Sequence, residues 1–477
     1  MKWHGVLPEL TDKQVWVAGY GRAGKSVITA LQRLGAKVVL IEENLAAPPS
    51  DVPTLNSIPD EVNAELIITS PGWRPGSRLF EVAADSGVKV IGDVEFAWLV
   101  DQAQAKRESR FAPRWLAVTG TNGKTTTVEM LESMLKAEGL RAIACGNVGL
   151  PVIDAVMAEV PYDVLAVELS SFEIHWAKSP KPFATALLNI SDDHLDWHGS
   201  FDEYAKTKIE LLARSEYAIY NADDERTIEI LEGVSTGERI SFTLDTPRPG
   251  QLGVVEEILV DRAFVENPQL EAGPLATLDE VKPFAPHNVA NALAAAALAR
   301  AAGVSLAAVS QGLRDFKSGE HRITQVAMID GINFVDDSKA TNPHAASASL
   351  SSFDSVVWIA GGLAKGASME SLVIENSKRL RGVVLIGEDR EVIRAALDKF
   401  ASDVPVIEIV IEANEMSKRD SAEILMKEVV EAAWKLASSG DTVLLAPACA
   451  SMDQFDSYAQ RGDLFAQAVR EILGTVL

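Results

Sequence analysis

Short apolar strands that end in glycine-containing turns and lead into helices recur along the whole chain. This alternation predicts an α/β protein built on doubly wound, mostly parallel sheets. Two further observations support it: the strand series restarts after polar or turn-rich stretches, and the strand-end turns are rich in small and charged residues, as in sheets that bind ligands there. At roughly 150 residues per domain, 477 residues correspond to about three domains. We place these at residues 1–112, 113–318 and 319–477.

In the first series, residues 14–18 form a strand running into Gly19-Tyr-Gly-Arg-Ala-Gly24 and a helix to about Leu34. Residues 37–41 follow and end in Glu42 and Glu43, and residues 66–69 and 88–91 complete the series. The polar, charged stretch 101–113 reads as a linker. The second series starts at residues 115–119 and includes 164–167, 184–188 and 217–220. Residues 241–277 have weaker strand patterns and several Pro and Gly, which suggests a small mixed sheet inside that domain. The third series follows a boundary near Lys317-Ser-Gly-Glu320, with strands at 334–335, 355–360, 383–386, 406–409 and 442–446.

Composition narrows the function. Hydrophobic residues make up 47% and charged residues 23%, an ordinary globular balance. The formal charge of -24 repels phosphate backbones and anionic lipid, so neither nucleic acid nor membrane is an expected partner. An anionic ligand would need local devices: helix N-termini, glycine loops, metal ions, single Lys or Arg residues. The two cysteines, Cys145 and Cys449, form neither a disulfide framework nor a zinc pattern. The N-terminus lacks a signal-peptide pattern, and the Ala-rich run Asn291–Arg300 reads as a buried helix, so a cytoplasmic location is expected.

The strongest local signal is Val118-Thr-Gly-Thr-Asn-Gly-Lys-Thr-Thr126, where a strand turns into a helix opened by Lys124 and Thr125. Backbone N–H groups of such a turn hold phosphate oxygens, the lysine reaches the terminal phosphates, and the hydroxyl ligates Mg²⁺. It is a shortened phosphate loop, since Val118 stands where the long consensus has Gly. Glu168 and His194 follow two successive apolar strands, where a carboxylate and an imidazole could share one metal ion. Spacing alone makes Lys208 a solvated helix lysine, and leaves Asn288 and Asn291, one turn apart, as either adenine-clasping or capping residues. The Gly19–Gly24 fingerprint with Glu42 and Glu43 beyond it suits a dinucleotide, any diphosphate or a nucleotide-sugar. Asp336-Asp-Ser-Lys-Ala-Thr-Asn342, Gly361–Lys365 and Ala446–Phe455 are strand-end loops whose Lys and Ser residues suit carboxylates.

With these residues in place the chain resembles the ATP-dependent Mur ligases of peptidoglycan synthesis over nearly its full length. Thr119–Thr125, Glu168-Leu-Ser-Ser171, Asp193-His194, His287-Asn288, His321-Arg322 and Asp337–Asn342 carry the resemblance, with Pro447–Phe455 and Arg461-Gly462. It implies an N-terminal Rossmann-like domain for the UDP-substrate, a central P-loop ATPase-like domain, and a C-terminal Rossmann-like domain for the amino acid. It implies ATP and Mg²⁺ as cofactors, a monomer, and UDP-N-acetylmuramoyl-L-alanine and D-glutamate as substrates joined through an acyl phosphate. By the same resemblance Gly120, Thr121, Asn122, Gly123, Lys124, Thr125, Thr126, Asn288, Asn291, Arg322 and Asp337 bind ATP. Lys124, Glu168, His194 and Lys208 are catalytic, and Thr125, Glu168, His194 and Lys208, as a carbamate, hold metal. Gly19, Gly21, Arg22, Ala23, Gly24, Gly72, Asn147 and Ser170 face the UDP-substrate. Lys339, Thr341, Lys365, Ser451, Met452 and Tyr458 face D-glutamate. The chain departs from the family pattern at Asn44, where a basic residue can stand, and at Glu173, where Gln occurs.

Other readings explain less. A folylpolyglutamate synthase lacks the N-terminal glycine-loop domain. A nicotinamide-dependent dehydrogenase leaves Lys124, Glu168 and His194 unexplained, and a non-catalytic nucleotide-binding scaffold is the third reading.

Overall fold

A computed structural model describes residues 7, 9–43, 48–317, 319–411 and 417–476. The chain divides into two compact units: Met1–Val281 with Asn288–Phe316, and Lys282–His287 with Lys317–Leu477. Among the described residues the strands form three sheets.

The first sheet contains β1 (Gln14–Ala18), β2 (Lys37–Ile41), β3 (Thr54–Leu55), β4 (Leu66–Thr69) and β5 (Lys89–Gly92), in the order β3-β2-β1-β4-β5. All its pairs are parallel. Continuous apolar runs form its centre because both faces are covered: all four residues of β4 are buried. The order reverses beside β1, so its C-terminal end, carrying the Gly19–Gly24 turn, opens at a switch point.

The second sheet contains β6 (Arg114–Thr119), β7 (Ala142–Gly146), β8 (Val164–Glu168), β9 (Ala184–Leu187), β10 (Tyr217–Asn221), β11 (Glu238–Phe242), β12 (Gln251–Val255), β13 (Ile258–Asp261) and β14 (Gly273–Thr277). Its order is β14-β13-β12-β11-β10-β9-β6-β8-β7. Thus β6 lies between β8 and β9, and the phosphate-loop sequence, Glu168 and the chain leading to His194 leave three adjacent strand ends. The stretch expected to be a small mixed sheet inside this domain extends the large one, joined by the parallel β11–β12 pair and continued by antiparallel β13 and β14.

The first two sheets share one apolar core that includes Val15, Val17, Phe96, Trp115, Leu165 and Val167. The expected linker at 101–113 is mostly the end of the helix Asp93–Glu108. Its Asp101 is buried and accepts a 3.0 Å hydrogen bond from Trp115 Nε1. A charged stretch can thus be a packed helix when its acid meets a buried donor, which composition alone does not disclose.

The third sheet contains β15 (Thr324–Ile329), β16 (Ile332–Asp336), β17 (Val356–Gly361), β18 (Leu380–Ile386), β19 (Val406–Glu408) and β20 (Thr442–Leu445), ordered β15-β16-β20-β17-β18-β19. Only the β15–β16 pair is antiparallel. The ends of β16, β20 and β17 are therefore neighbours, and they carry the Asp336–Asn342, Ala446–Phe455 and Gly361–Lys365 loops.

Candidate active site

In the first unit, β6 turns through Gly120–Gly123 into the helix Lys124–Ala137, which has no acid in its first turn to neutralise its positive end. Gly123 caps this helix at φ +84, and a Cβ there would lie 2.3 Å from Asn291 Oδ1. Glycine is thus demanded both by the left-handed backbone and by the close approach of the buried Asn291. Asn291 Nδ2 in turn donates to Asn288 Oδ1 at 3.3 Å, so the two asparagines form one cluster against the loop. The loop is held from its other side as well. Asn122 N donates to Asn189 Oδ1 at 2.9 Å, and Thr121 Oγ1 accepts from Ser191 N at 3.0 Å and lies 2.9 Å from Tyr204 OH. Lys124 Nζ donates to the carbonyls of Gly120 and Thr121, each at 2.9 Å.

Lys208 is not a solvated helix lysine. It is 1% exposed, and Nζ donates to Thr119 Oγ1 at 3.2 Å and to Gly120 O at 3.1 Å. Burial, and next the charge of Lys124, hold its ammonium well below the ordinary lysine range. Glu168 is buried at the end of β8; its Oε1 accepts from Asn147 Nδ2 at 3.0 Å, whereas its buried Oε2 has no hydrogen-bond partner. An orphaned buried carboxylate oxygen costs roughly 1–3 kcal/mol or more, and a hard cation would satisfy it. His194, at φ +53, is exposed, with its ring centroid 4.5 Å from that of Phe172. Among the described residues no group of three or more His, Cys, Asp or Glu is placed to hold a metal.

The Gly19–Gly24 turn opens the helix Arg22–Arg33, again without an acid in its first turn. A Cβ on Gly24 would stand 2.0 Å from Gly19 O, so this turn closes only with glycine. Glu42, just after β2, accepts a 3.1 Å bond from Tyr20 N. Arg22 Nη1 donates to Gly149 O at 3.0 Å, joining this turn to the segment that carries Asn147. Ser170 caps the helix Ser171–Trp176 in a reciprocal capping box with Glu173. Burial and the charge of Asp93 raise the Glu173 carboxyl, favouring the protonated acid, which can both donate and accept. Beyond Gly72, Arg74 and Ser77 line a cavity of about 660 Å³ together with His175, Trp197, His198 and Glu203. Asn44 lies outside the described residues.

In the second unit, Asp337 is buried and accepts a hydrogen bond from Ser349 Oγ. Burial pushes its carboxyl up to about 7. Lys339 Nζ sits 3.9 Å from the centroid of the Tyr458 ring. The loops are laced by backbone: Ala448 N donates to Ala340 O at 2.9 Å, and Leu363 and Ala450 exchange bonds of 2.9 and 3.0 Å. Ser451 is buried, whereas Lys365, at φ +49, and Met452 are exposed.

Gly120–Thr126, Asn147, Glu168, Lys208, Asn288 and Asn291 lie in the first unit, and Arg322, Asp337, Lys339, Thr341, Lys365, Ser451 and Tyr458 in the second. Sequence reasoning missed Tyr204 and Asn189, which brace the loop. The available signal was the i, i+4 spacing of Tyr204 and Lys208, which puts them on one helix face.

A phosphate loop on a mostly parallel sheet, a buried lysine bonded to it and a third sheet with lysine-bearing strand-end loops suit an ATP-dependent ligase. Residues 118–299 match the Mur ligase middle domain and residues 321–449 the Mur ligase glutamate ligase domain. The chain belongs to the Mur ligase family. It is 50% identical to the UDP-N-acetylmuramoylalanine–D-glutamate ligase of Thermobifida fusca (strain YX), over 98% of this chain and 100% of that protein. Among solved structures, a pseudomurein peptide ligase type C from Methanothermus fervidus matches with TM-score 0.58 and 19% identity, over 98% of this chain and 100% of that one. MurF ligase from Thermotoga maritima in complex with ADP matches with TM-score 0.56 and 19% identity, over 97% of this chain and 96% of that one. Those two likenesses carry the fold alone.

Proposed function

We propose that the chain joins D-glutamate to UDP-N-acetylmuramoyl-L-alanine, using ATP and releasing ADP and phosphate, in the cytoplasmic synthesis of peptidoglycan precursors. The observation that carries this reading is the 50% identity, over 98% of this chain, to a ligase of that name, on a chain whose phosphate loop and buried lysine share one strand end. ATP phosphorylates the alanyl carboxylate; the amine of D-glutamate attacks the acyl phosphate, and phosphate leaves. The two reacting anions repel each other, so fixed cations and dipoles must offset that.

The residues divide the work. Gly120–Thr126 and the positive end of their helix hold the triphosphate, with Lys124 on its terminal phosphates. Asn288 and Asn291 border the nucleotide, and Arg322 and Asp337 contact it. Glu168, with its orphaned Oε2, together with Thr125, His194 and the carbamate of Lys208 would hold Mg²⁺, which neutralises phosphate charge when bound. Lys208 needs a free amine to take up CO₂, and burial favours that form. Gly19–Gly24, Gly72, Asn147 and Ser170 take the UDP-substrate. Lys339, Thr341, Lys365, Ser451, Met452 and Tyr458 take D-glutamate. We assign these roles to residues 1–112, 113–318 and 319–477 as three domains acting in a monomer. No helix among the described residues is long and apolar enough to cross a membrane.

The test is phosphate release from ATP by the purified chain. It should require both UDP-N-acetylmuramoyl-L-alanine and D-glutamate; release with either one alone, or with L-alanine replacing D-glutamate, would overturn the reading.

A further inference from the structure

Arg461 stands near the start of the helix Tyr458–Val476, and its side chain is 0% exposed. Its Nε donates to Ser338 Oγ and its Nη2 to Ser338 O, both at 2.9 Å, while Nη1 and Nη2 each donate to Cys449 O at 3.3 Å. These bonds all end on neutral oxygens, one residue in the loop after β16 and the other in the loop after β20. Ser338 is itself fixed: its Oγ donates to Tyr458 O at 2.8 Å and its N to Asp336 Oδ1 at 2.9 Å.

A buried guanidinium is ordinarily matched by a carboxylate. Here no carboxylate hydrogen-bonds to it: Asp336 Oδ2 lies 2.6 Å from His321 Nδ1, Asp453 Oδ2 accepts from Glu388 N at 2.9 Å while its Oδ1 is buried without a partner, and both acids act on Arg461 only through their charge. Burial lowers the Arg461 guanidinium to about 10, which still leaves a cation at neutral pH. The fold therefore keeps a fixed positive charge between two loops, where an apolar side chain of similar volume would fill the space without desolvating an ion. The two loops held by that charge carry Lys339 and Thr341 on one side and Ser451 on the other.

We propose that Arg461 is the positioning residue of the acidic amino-acid site: its planar fork sets the spacing of the two loops, and its charge, bonded to no carboxylate, favours a dicarboxylate ligand without touching it. This rests on the reading above that these loops receive D-glutamate. A lysine would keep the charge but lacks the fork that reaches both loops at once.

The experiment measures KM for each of the three substrates and kcat in wild type, Arg461→Met and Arg461→Lys, with circular dichroism as the folding control. Arg461→Met should raise the D-glutamate KM roughly tenfold or more, with the ATP and UDP-substrate KM values within about threefold of wild type. Arg461→Lys should fall between. An unchanged D-glutamate KM, or an equal rise for all three substrates, overturns the proposal, the second because a purely structural role would act on all alike. If Arg461→Met does not fold, Ser338→Ala decides: it removes one acceptor of the fork, and a rise in the D-glutamate KM alone supports the role while an unchanged value overturns it. Wild type without D-glutamate-dependent phosphate release would overturn the activity and Arg461 together; normal wild-type turnover beside an unaffected variant overturns Arg461 alone.

Discussion

At the scale of single residues, charge and burial decide most of what the site can do. Lys124→Ala removes the cation proposed to meet the transferred phosphoryl group, and such contacts are worth roughly 3–4 kcal/mol in the transition state. Turnover should fall two to three decades, by about that energy, in a variant that unfolds like wild type; normal turnover would sink the phosphate-loop assignment. Lys208→Ala should lose most activity, short carboxylic acids should restore part of it, and stripping CO₂ and bicarbonate should lower wild-type activity. Activity indifferent to all three would return Lys208 to a structural role. Asp337 makes a pH prediction. Its folded pKa, pushed up to about 7 from 3.8, means the folded state holds a proton that the unfolded chain has lost between those values. Its contribution is therefore lost as pH rises from about 4 through 7. Asp337→Asn, which can still accept from Ser349, should unfold at a higher temperature than wild type at pH 8 and at a similar one at pH 4. The reverse order would show that Asp337 is ionised in the fold. The sequence disclosed Lys124 because a phosphate loop is a contiguous pattern. Spacing alone could not disclose Lys208, which only the family resemblance singled out, because Lys206 and Lys208 stand two apart on one helix and only packing makes the first exposed and the second buried.

At the scale of elements, the legible strands are those buried on both faces, such as residues 66–69 and 356–361, whose apolar runs need no partner to be recognised. Strand 142–146 escaped because Ala142, Ala144, Cys145 and Gly146 carry little β-branched or aromatic signal; it forms because β8 offers it a full parallel ladder. The antiparallel extension at 251–277 was legible as strands but not as part of the larger sheet, since pairing partners are set by tertiary contact. The phosphate loop as an element depends on the spacing between its turn and the Asn288–Asn291 helix. Gly123→Ala puts a methyl against Asn291 Oδ1 and into left-handed backbone, at a cost of about 1–2 kcal/mol from the backbone alone. The ATP KM should rise several-fold and the urea midpoint should fall. A variant with wild-type ATP KM would mean the helix can retreat and that its contact with the loop carries no nucleotide affinity.

At the scale of the whole molecule, two sheets that the sequence separates into successive series share one apolar core in the first unit. Helix 93–108 makes this possible. It leaves the first sheet, packs on the helices 152–156 and 171–176 of the second, and buries Asp101 against Trp115 at the start of β6. Glu95 on the same helix accepts from Ser179 N at 2.7 Å and from Ser179 Oγ at 2.5 Å. Such a junction predicts that the glycine turn after β1 and the phosphate loop after β6 are carried by one cooperative body, so the distance between these two turns is fixed by the fold. Trp115→Ala would remove a fully buried indole from the shared core, a change that typically costs 3–5 kcal/mol. If the body is cooperative, amides of β1 and of β6 should lose hydrogen-exchange protection together and by similar free energies. Loss confined to β6 and its neighbours, with β1 still protected as in wild type, would show that the two sheets unfold separately and that the fixed spacing of the two turns needs another cause.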